Sequence, residues 1–159
     1  KKIICCDCGK EFEVTVKAEG AVVPTKTTYN FSSYTAGTQY ADETHVLDDN
    51  VTLTTHNKGC HFTTQLRIYQ SDSNDGYAVI ESKNVIAGFA FNGGYKAASL
   101  SVYGSVDGVE WTLIETVTVK TSYADYQVAV ASSAGYKYLK LDAVGNQVRI
   151  PSITLETIA

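Results

Sequence analysis

The chain has 159 residues, with 13 basic against 17 acidic side chains, a net charge of −4 and a pI near 5.3. That balance makes a nucleic-acid backbone a poor main partner. Thr (18), Val (17), Ile (9) and Tyr (11) dominate, Met is absent and Leu numbers only 8, so strand formers prevail and the chain reads as all-β. No apolar run approaches the ~18 residues that cross a bilayer, so no membrane insertion is expected.

The length fits one domain with a short appendage. Because the chain starts at Lys1 and contains no Met, it reads as a fragment of a longer protein, a monomeric module of a multidomain chain. Residues 1–28 differ from the rest. They hold a Cys-rich start (Cys5, Cys6, Cys8), one alternating stretch from Phe12 to Lys17, and an aperiodic run with Pro24, which together read as a knuckle, a strand and a linker. From residue 29 to 159, short alternating runs recur between Asn-Gly, Asp-Gly and Ser-rich turns, and no window carries a helical stripe. Strands are expected near 29–34, 44–55, 61–69, 77–80, 85–91, 99–105, 110–119, 125–131, 136–142 and 147–156. That pattern predicts an antiparallel β-sandwich or barrel.

Parity within each run sorts inside from outside. Phe62, Leu66 and Ile68 are expected inward, with Gln65, Arg67 and Tyr69 on the opposite face. Leu100 and Val102 point in and Tyr103 out. Val148 and Ile150 point in, Gln147 and Arg149 out, until Pro151 marks an edge or bulge. Residues 85–91 are apolar on both faces, which predicts a strand covered on both sides. Phe62, Phe89, Phe91 and Trp111 are assigned to packing, and Asn92 to Lys96 to a turn.

The run Ser101-Val102-Tyr103-Gly104-Ser105-Val106-Asp107-Gly108-Val109-Glu110-Trp111, with Tyr136-Lys137-Tyr138-Leu139-Lys140-Leu141 further on, resembles signatures of discoidin-like and galactose-binding-like jelly rolls. It is similar as well to carbohydrate-binding modules appended to bacterial polysaccharide-degrading enzymes. Asp107-Gly108 is expected to form a type I′ hairpin with Trp111 plugging the sandwich end. Tyr29-Asn30-Phe31, residues 65–69 and residues 148–153 extend the resemblance over about 29–156. It implies a jelly-roll sandwich from an extracellular or cell-surface protein, with glycan, protein or lipid as ligand. The opening strands lack the Trp or apolar spikes of membrane-binding discoidin domains, which disfavours a lipid partner.

Catalysis requires a convergent nucleophile, base and stabiliser, or paired carboxylates. With three His and no Gly-x-Ser-x-Gly, phosphate loop or His-Glu-x-x-His, no such motif is present, and the chain is not expected to be an enzyme. Sugar binding needs aromatic faces and hydrogen-bonding groups on a rigid platform, for which the candidates are Gln65, Arg67, Tyr69, Tyr95, Tyr103 and Arg149, with Gln147 beside them. Arg67 and Arg149 are the only arginines, and a guanidinium can hold a carboxylate bidentately, so an acidic glycan is a candidate ligand. The competing reading pairs each Arg with a strand carboxylate or lays its stem over a Tyr.

Two metals are candidates, zinc and calcium. Cys5-x-x-Cys8 is similar to half of a zinc-ribbon knuckle, with Cys60, His56 or His61 as the only further ligands; the alternatives are a disulfide to Cys60 or free thiols. The jelly-roll resemblance implies a structural calcium, for which Asp72 and Asp75, or Asp48 to Asn50, supply oxygens. The leading expectation is a non-catalytic module that targets a larger secreted or cell-surface protein to polysaccharide. The alternative is a protein-interaction or adhesion module, such as a surface adhesin or phage tail receptor-binding domain.

Overall fold

The structure, a computed structural model, describes residues 2–4, 11–13, 22–57, 60–71 and 74–159. Cys5, Cys6, Cys8 and Asp72 lie outside the described residues. Sixteen strands are described: β1 (Lys2–Ile4), β2 (Glu11–Glu13), β3 (Thr25–Asn30), β4 (Glu43–Val46), β5 (Val51–His56), β6 (Cys60–Phe62), β7 (Leu66–Ile68), β8 (Gln70–Ser71), β9 (Asn74–Asp75), β10 (Tyr77–Ser82), β11 (Val85–Tyr95), β12 (Ala98–Ser105), β13 (Thr112–Val119), β14 (Ala124–Ala129), β15 (Tyr138–Val144) and β16 (Val148–Ile158). β1 with β2, and β8 with β9, form separate two-stranded sheets.

The other strands form two antiparallel sheets. Sheet I runs β13-β12-β15-β10-β5-β4; sheet II runs β14-β11-β16-β7-β6, with β3 also on β16. The inward residues of both build one core that includes Leu53, Ile80, Leu139 and Leu141 from sheet I and Leu66, Ile68, Ile86 and Ile150 from sheet II, all fully buried. Alternation does this work: one face of each strand is β-branched or aliphatic, so each sheet has one face that must leave water. The expected inward sets hold, with Phe62, Leu66, Ile68, Leu100, Val102, Val148 and Ile150 all buried. Among the described residues no helix is long and apolar enough to cross a membrane.

Several local expectations give way to specific geometry. Of residues 29–34 only Tyr29 and Asn30 are strand. β3 starts at Thr25 and pairs with β16 through the Thr-rich run, and Phe31–Ser33 turn into a 3₁₀ segment capped by the Asn30 side chain. The expected strand at 44–55 is two strands around Asp48, whose Oδ1 accepts from the Asn50 and Val51 amides and whose Oδ2 accepts from the Tyr29 hydroxyl. That carboxylate is fully used by an Asx turn and a tyrosine. The strand at 61–69 is broken in the same way by a bend at Thr63–Gln65.

The both-faces-covered reading of 85–91 is corrected by a bulge. Ile86 pairs with Thr157 and Gly88 with Glu156, so one extra residue switches the parity, and Ile86, Phe89 and Phe91 all reach the same core. β11 then continues through Tyr95, so Asn92 to Tyr95 is strand with a second bulge and only Lys96 and Ala97 form the bend, and the opposite bulge partner contains Pro151 inside β16. Proline lacks the ladder donor, and a bulge is where a paired strand tolerates it. Asp107-Gly108 is not a two-residue hairpin either: the loop spans 106–111, only Gly108 has positive φ (77°), and the Asp107 carboxylate caps the Val109 and Glu110 amides.

Cys60 sits inside the sandwich as a free cysteine, its thiol pushed up to about 12 by burial above all. It faces the core with Phe62 while His61 faces the other way, so it is not placed to complete a thiolate site with His61.

Candidate functional site

The outer face of sheet I gathers aromatic rings around one cation. On β15 the residues Leu139, Leu141 and Ala143 are buried, so Tyr138, Lys140 and Asp142 must face out. The register sets Lys140 between Tyr103 on β12 and Val79 on β10, and Asp142 between Ser101 and Tyr77. The Lys140 ammonium lies 4.6 Å from the Tyr103 ring centroid, 5.1 Å from that of Trp111 and 5.6 Å from that of Tyr77. His56 on β5 stacks flat on Tyr77, with centroids 4.7 Å apart at 14°. Exposed Leu113, directly across from Tyr103, extends the apolar surface on β13. At ~4.8 Å per strand, the row from His56 across β10 and β15 to Tyr103 spans about 14 Å, and Trp111 lengthens it.

Polar groups flank this row. The Asp142 carboxyl is held above its usual range, first by burial, then by the nearby Asp75 carboxylate, with Lys140 opposing. Its Oδ1 is buried without a hydrogen-bond partner. The Tyr138 hydroxyl donates to Glu81 Oε1 at 3.2 Å. The face thus offers flat rings, one ammonium with three donors, and carboxylate oxygens to accept from hydroxyl groups.

The raised Asp142 pKa carries a sign. The folded state binds that proton more tightly than the unfolded chain, so ionised Asp142 costs stability above its folded pKa, and the cost disappears as pH falls through that pKa. Asp142→Asn is therefore expected to melt higher than wild type at neutral pH. The gap should close as the pH approaches the ordinary 3.8, and thermal melts at a series of pH values check both halves.

The residues singled out from the sequence divide between two faces. Tyr103 belongs to the row just described, while Gln65, Arg67, Tyr69, Tyr95 and Arg149 gather at one end of sheet II. Trp111, assigned to packing, is instead half-buried on the outer face of sheet I beside Lys140, because the six-residue loop before β13 carries it past the sandwich end. Tyr77, Lys140 and Asp142 were not singled out. Asp75 is exposed on β9, and among the described residues no three His, Cys, Asp or Glu converge.

At the sheet II end, Arg67 and Arg149 are direct cross-strand partners, and His61 stands across from Arg67 on the other side. The Arg149 guanidinium lies over the Tyr95 ring, 3.5 Å from its centroid, and its Nε donates to Gln147 Oε1 at 3.3 Å. Gln147, expected to be outward, is 6% exposed because Arg149 and Tyr69 cover it. Tyr40 packs edge-on against Tyr69 at 5.1 Å, and the Tyr123 hydroxyl donates to Gln65 Oε1 at 3.0 Å. Burial pushes the Tyr69 hydroxyl up, but Tyr40, Gln147 and Arg67 together hold it below its ordinary value.

A separate groove of about 410 Å³ on sheet II has Gly88 and Ala90 on its floor and Lys26, Gln127, Glu115 and Glu156 on its walls. Its one aromatic lining residue, Phe89, is 3% exposed, so the groove offers little on which a sugar face would stack.

No family model matches the chain, and no curated protein matches it significantly. Solved structures do. A point mutant of a family 29 carbohydrate-binding module complexed with mannohexaose superposes with a TM-score of 0.59 at 13% identity, covering 84% of this chain and 92% of that one. Another point mutant of that module, complexed with cellulohexaose, gives 0.59 at 14% identity over 86% and 94%. A further family 29 carbohydrate-binding module structure gives 0.58 at 12% over 84% and 89%. The chain is a β-sandwich with the jelly-roll fold of carbohydrate-binding modules.

Proposed function

We propose that this chain is a non-catalytic module that binds polysaccharide through the outer face of sheet I and holds a larger extracellular or cell-surface protein on its substrate. The observation that carries the reading is the row of Trp111, Tyr103 and Tyr77 around Lys140, flanked by carboxylates. Pyranose rings present axial C–H groups that pack on aromatic faces, and their hydroxyls need both donors and acceptors; this face has each. Solved structures of the same fold were captured with mannohexaose and cellulohexaose, which makes neutral β-linked hexose polymers the first ligands to try.

Among the carboxylates of this face, Glu81 and Asp142 are not spaced as a hydrolytic pair. Asp142 pairs with Tyr77 and Glu81 with Tyr138, so the two acids stand four residues apart along paired strands. That is about 13 Å, beyond the ~5–9.5 Å between the acid pair of a glycosidase. The polymer is further read as carrying acidic as well as neutral sugars, on account of the two arginines. Native affinity electrophoresis through gels containing glucomannan, soluble cellulose derivatives or polyuronate tests the proposal. Retardation by glucomannan or a neutral cellulose derivative, without release of reducing ends, is the expected result for the sheet I face, and free migration through both of these refutes it.

A further inference from the structure

We propose that the Arg67–Arg149 end of sheet II is a second, separate glycan site, built for the carboxylate of an acidic sugar. It rests on the glycan-binding reading above but uses a different face. Two guanidinium groups directly opposite each other in a sheet repel, and His61 on the same rung is held below its ordinary pKa by burial and by Arg67, so the positive charge of the site comes from the two arginines. Among the described residues no carboxylate forms an ion pair with either arginine. Glu43 lies within electrostatic reach of His61, but its oxygens accept from the Thr38 amide at 2.9 Å and sit 3.4 Å from His45 Nε2. Among the described residues the two guanidinium charges are thus not neutralised internally, which is what an anion site requires.

The donors point the same way. Arg67 Nε and Gln147 Nε2 are both buried and meet no acceptor at full hydrogen-bonding geometry, although both side chains lie close enough to the Tyr69 hydroxyl to lower its pKa, and Gln147 as a whole is 6% exposed. Tyr69 therefore satisfies these inner donors only in part, and the remaining N–H groups of the two guanidinium forks are the ones a ligand acceptor would meet. Gln147 Oε1 meanwhile fixes the Arg149 fork from behind.

The backbone supplies an independent sign. Among the described residues only Tyr40, Asn57 and Tyr95 are non-glycine residues with positive φ, and two of the three are here: Tyr40 at 55° and Tyr95 at 98°. Holding bulky residues in that region is strained and is found where a side chain must be aimed. Tyr95 is aimed over Arg149, and Tyr40 over Tyr69 and His61. Gly94 makes the Tyr95 placement possible, since a Cβ there would lie 2.9 Å from the Tyr123 backbone. The result is a basic floor rimmed by three exposed phenols, Tyr40, Tyr95 and Tyr123, 38–44% exposed. Planar forks suit a planar carboxylate, and the rim suits the sugar ring that bears it.

The test is isothermal titration of the full chain with oligogalacturonate, its carboxyl-reduced form, and a sulfated neutral oligosaccharide. Oligogalacturonate is expected to bind, more weakly at high salt, and the reduced form not to bind. Arg67→Gln with Arg149→Gln should lower oligogalacturonate affinity roughly 30-fold or more, while Trp111→Ala leaves it unchanged. Arg67→Lys with Arg149→Lys, which keeps the charge and loses the fork, should fall between, with unchanged circular dichroism showing that the variants fold. The proposal is overturned if wild type ignores oligogalacturonate, if it prefers the sulfated sugar, or if the double Gln variant binds as wild type does. Binding of neutral polymer with none of the acidic one would refute this site alone; acidic binding with no neutral binding would refute the sheet I reading and leave this site standing.

Discussion

Trp111→Ala combined with Tyr103→Ala is expected to abolish measurable binding of the neutral oligosaccharide that wild type retains best, while the melting temperature stays close to that of wild type. Both rings lie on the outer face of sheet I, within 5.1 Å of the Lys140 ammonium, and neither contributes to the buried core. Aromatic anchors at a binding surface carry on the order of 2 kcal/mol or more each when truncated, so each single change should weaken binding about 30-fold and the pair several-hundredfold. The loss should appear in the titration and not in the melt, since what is removed is exposed or half-buried surface. Lys140→Ala is an informative companion, because that ammonium touches all three rings and orients them as well as donating to hydroxyls. Equal affinity of wild type and the double variant for every neutral glycan would move the site elsewhere.

The two faces differ in chemistry in a way the net charge of −4 conceals. Sheet I offers rings, one ammonium and carboxylates, the mixture that neutral hydroxyl-rich ligands satisfy. Sheet II offers two arginines and a histidine at one end. A polymer with both kinds of sugar would meet each face with different residues, so a module with both sites could cross-link two strands of such a polymer or grip one at two points.

Parity was enough to place much of the core. Phe62, Leu66 and Ile68, then Leu100 and Val102, then Val148 and Ile150, each face inward as alternation requires, because a one-residue slip would turn a whole apolar set into water. The failures sit where the chain departs from a period of two. The bulge after Ile86 and the bulge containing Pro151 each insert one residue, and no local composition announces which residue a ladder will skip. Trp111 was missed because its position depends on the path of the loop at 106–111, not on a strand's alternation. Gln147 lies on the predicted face, but long neighbours fold over it, and burial by a neighbour's side chain leaves no trace in spacing.

The aromatic row on sheet I has a signal in the sequence. Tyr138, Lys140 and Asp142 alternate with Leu139 and Leu141, so one parity step puts a ring, a cation and a carboxylate on one outer face. What the sequence does not contain is the strand order that sets Tyr103 and Tyr77 on either side of them, since β15 pairs with β12 and β10, which lie more than thirty residues away in the chain. The Arg67–Arg149 pairing likewise joins strands eighty residues apart. Their isolation among eleven lysines drew attention to both, and only the register made them neighbours.

Phe62→Ala is expected to cost the most stability of any single change considered. The ring is 1% exposed and meets Phe31 edge-on at 5.2 Å, Tyr34 at 6.4 Å and His45 face to face at 4.1 Å. It sits at the end of β6, a three-residue strand paired only with β7, so the ladder contributes little there and the ring pins both the strand and the 31–46 segment to the core. Emptying such a site costs about 3–5 kcal/mol, a large share of the ~5–15 kcal/mol typical of a domain, and should lower Tm by roughly 10 °C or more. The pH dependence should change too. Burial, in part against this ring, holds the His45 imidazole below its ordinary 6.5, with Glu43 opposing, so the folded state resists that proton and wild type loses stability as pH falls through 6.5. With the ring gone His45 is better solvated, its pKa moves back up, and the acid-side loss shrinks. Urea unfolding on both sides of that pH should therefore show the largest gap between the two proteins near neutrality and a smaller one in acid; an unchanged gap would mean that Phe62 does not shield His45.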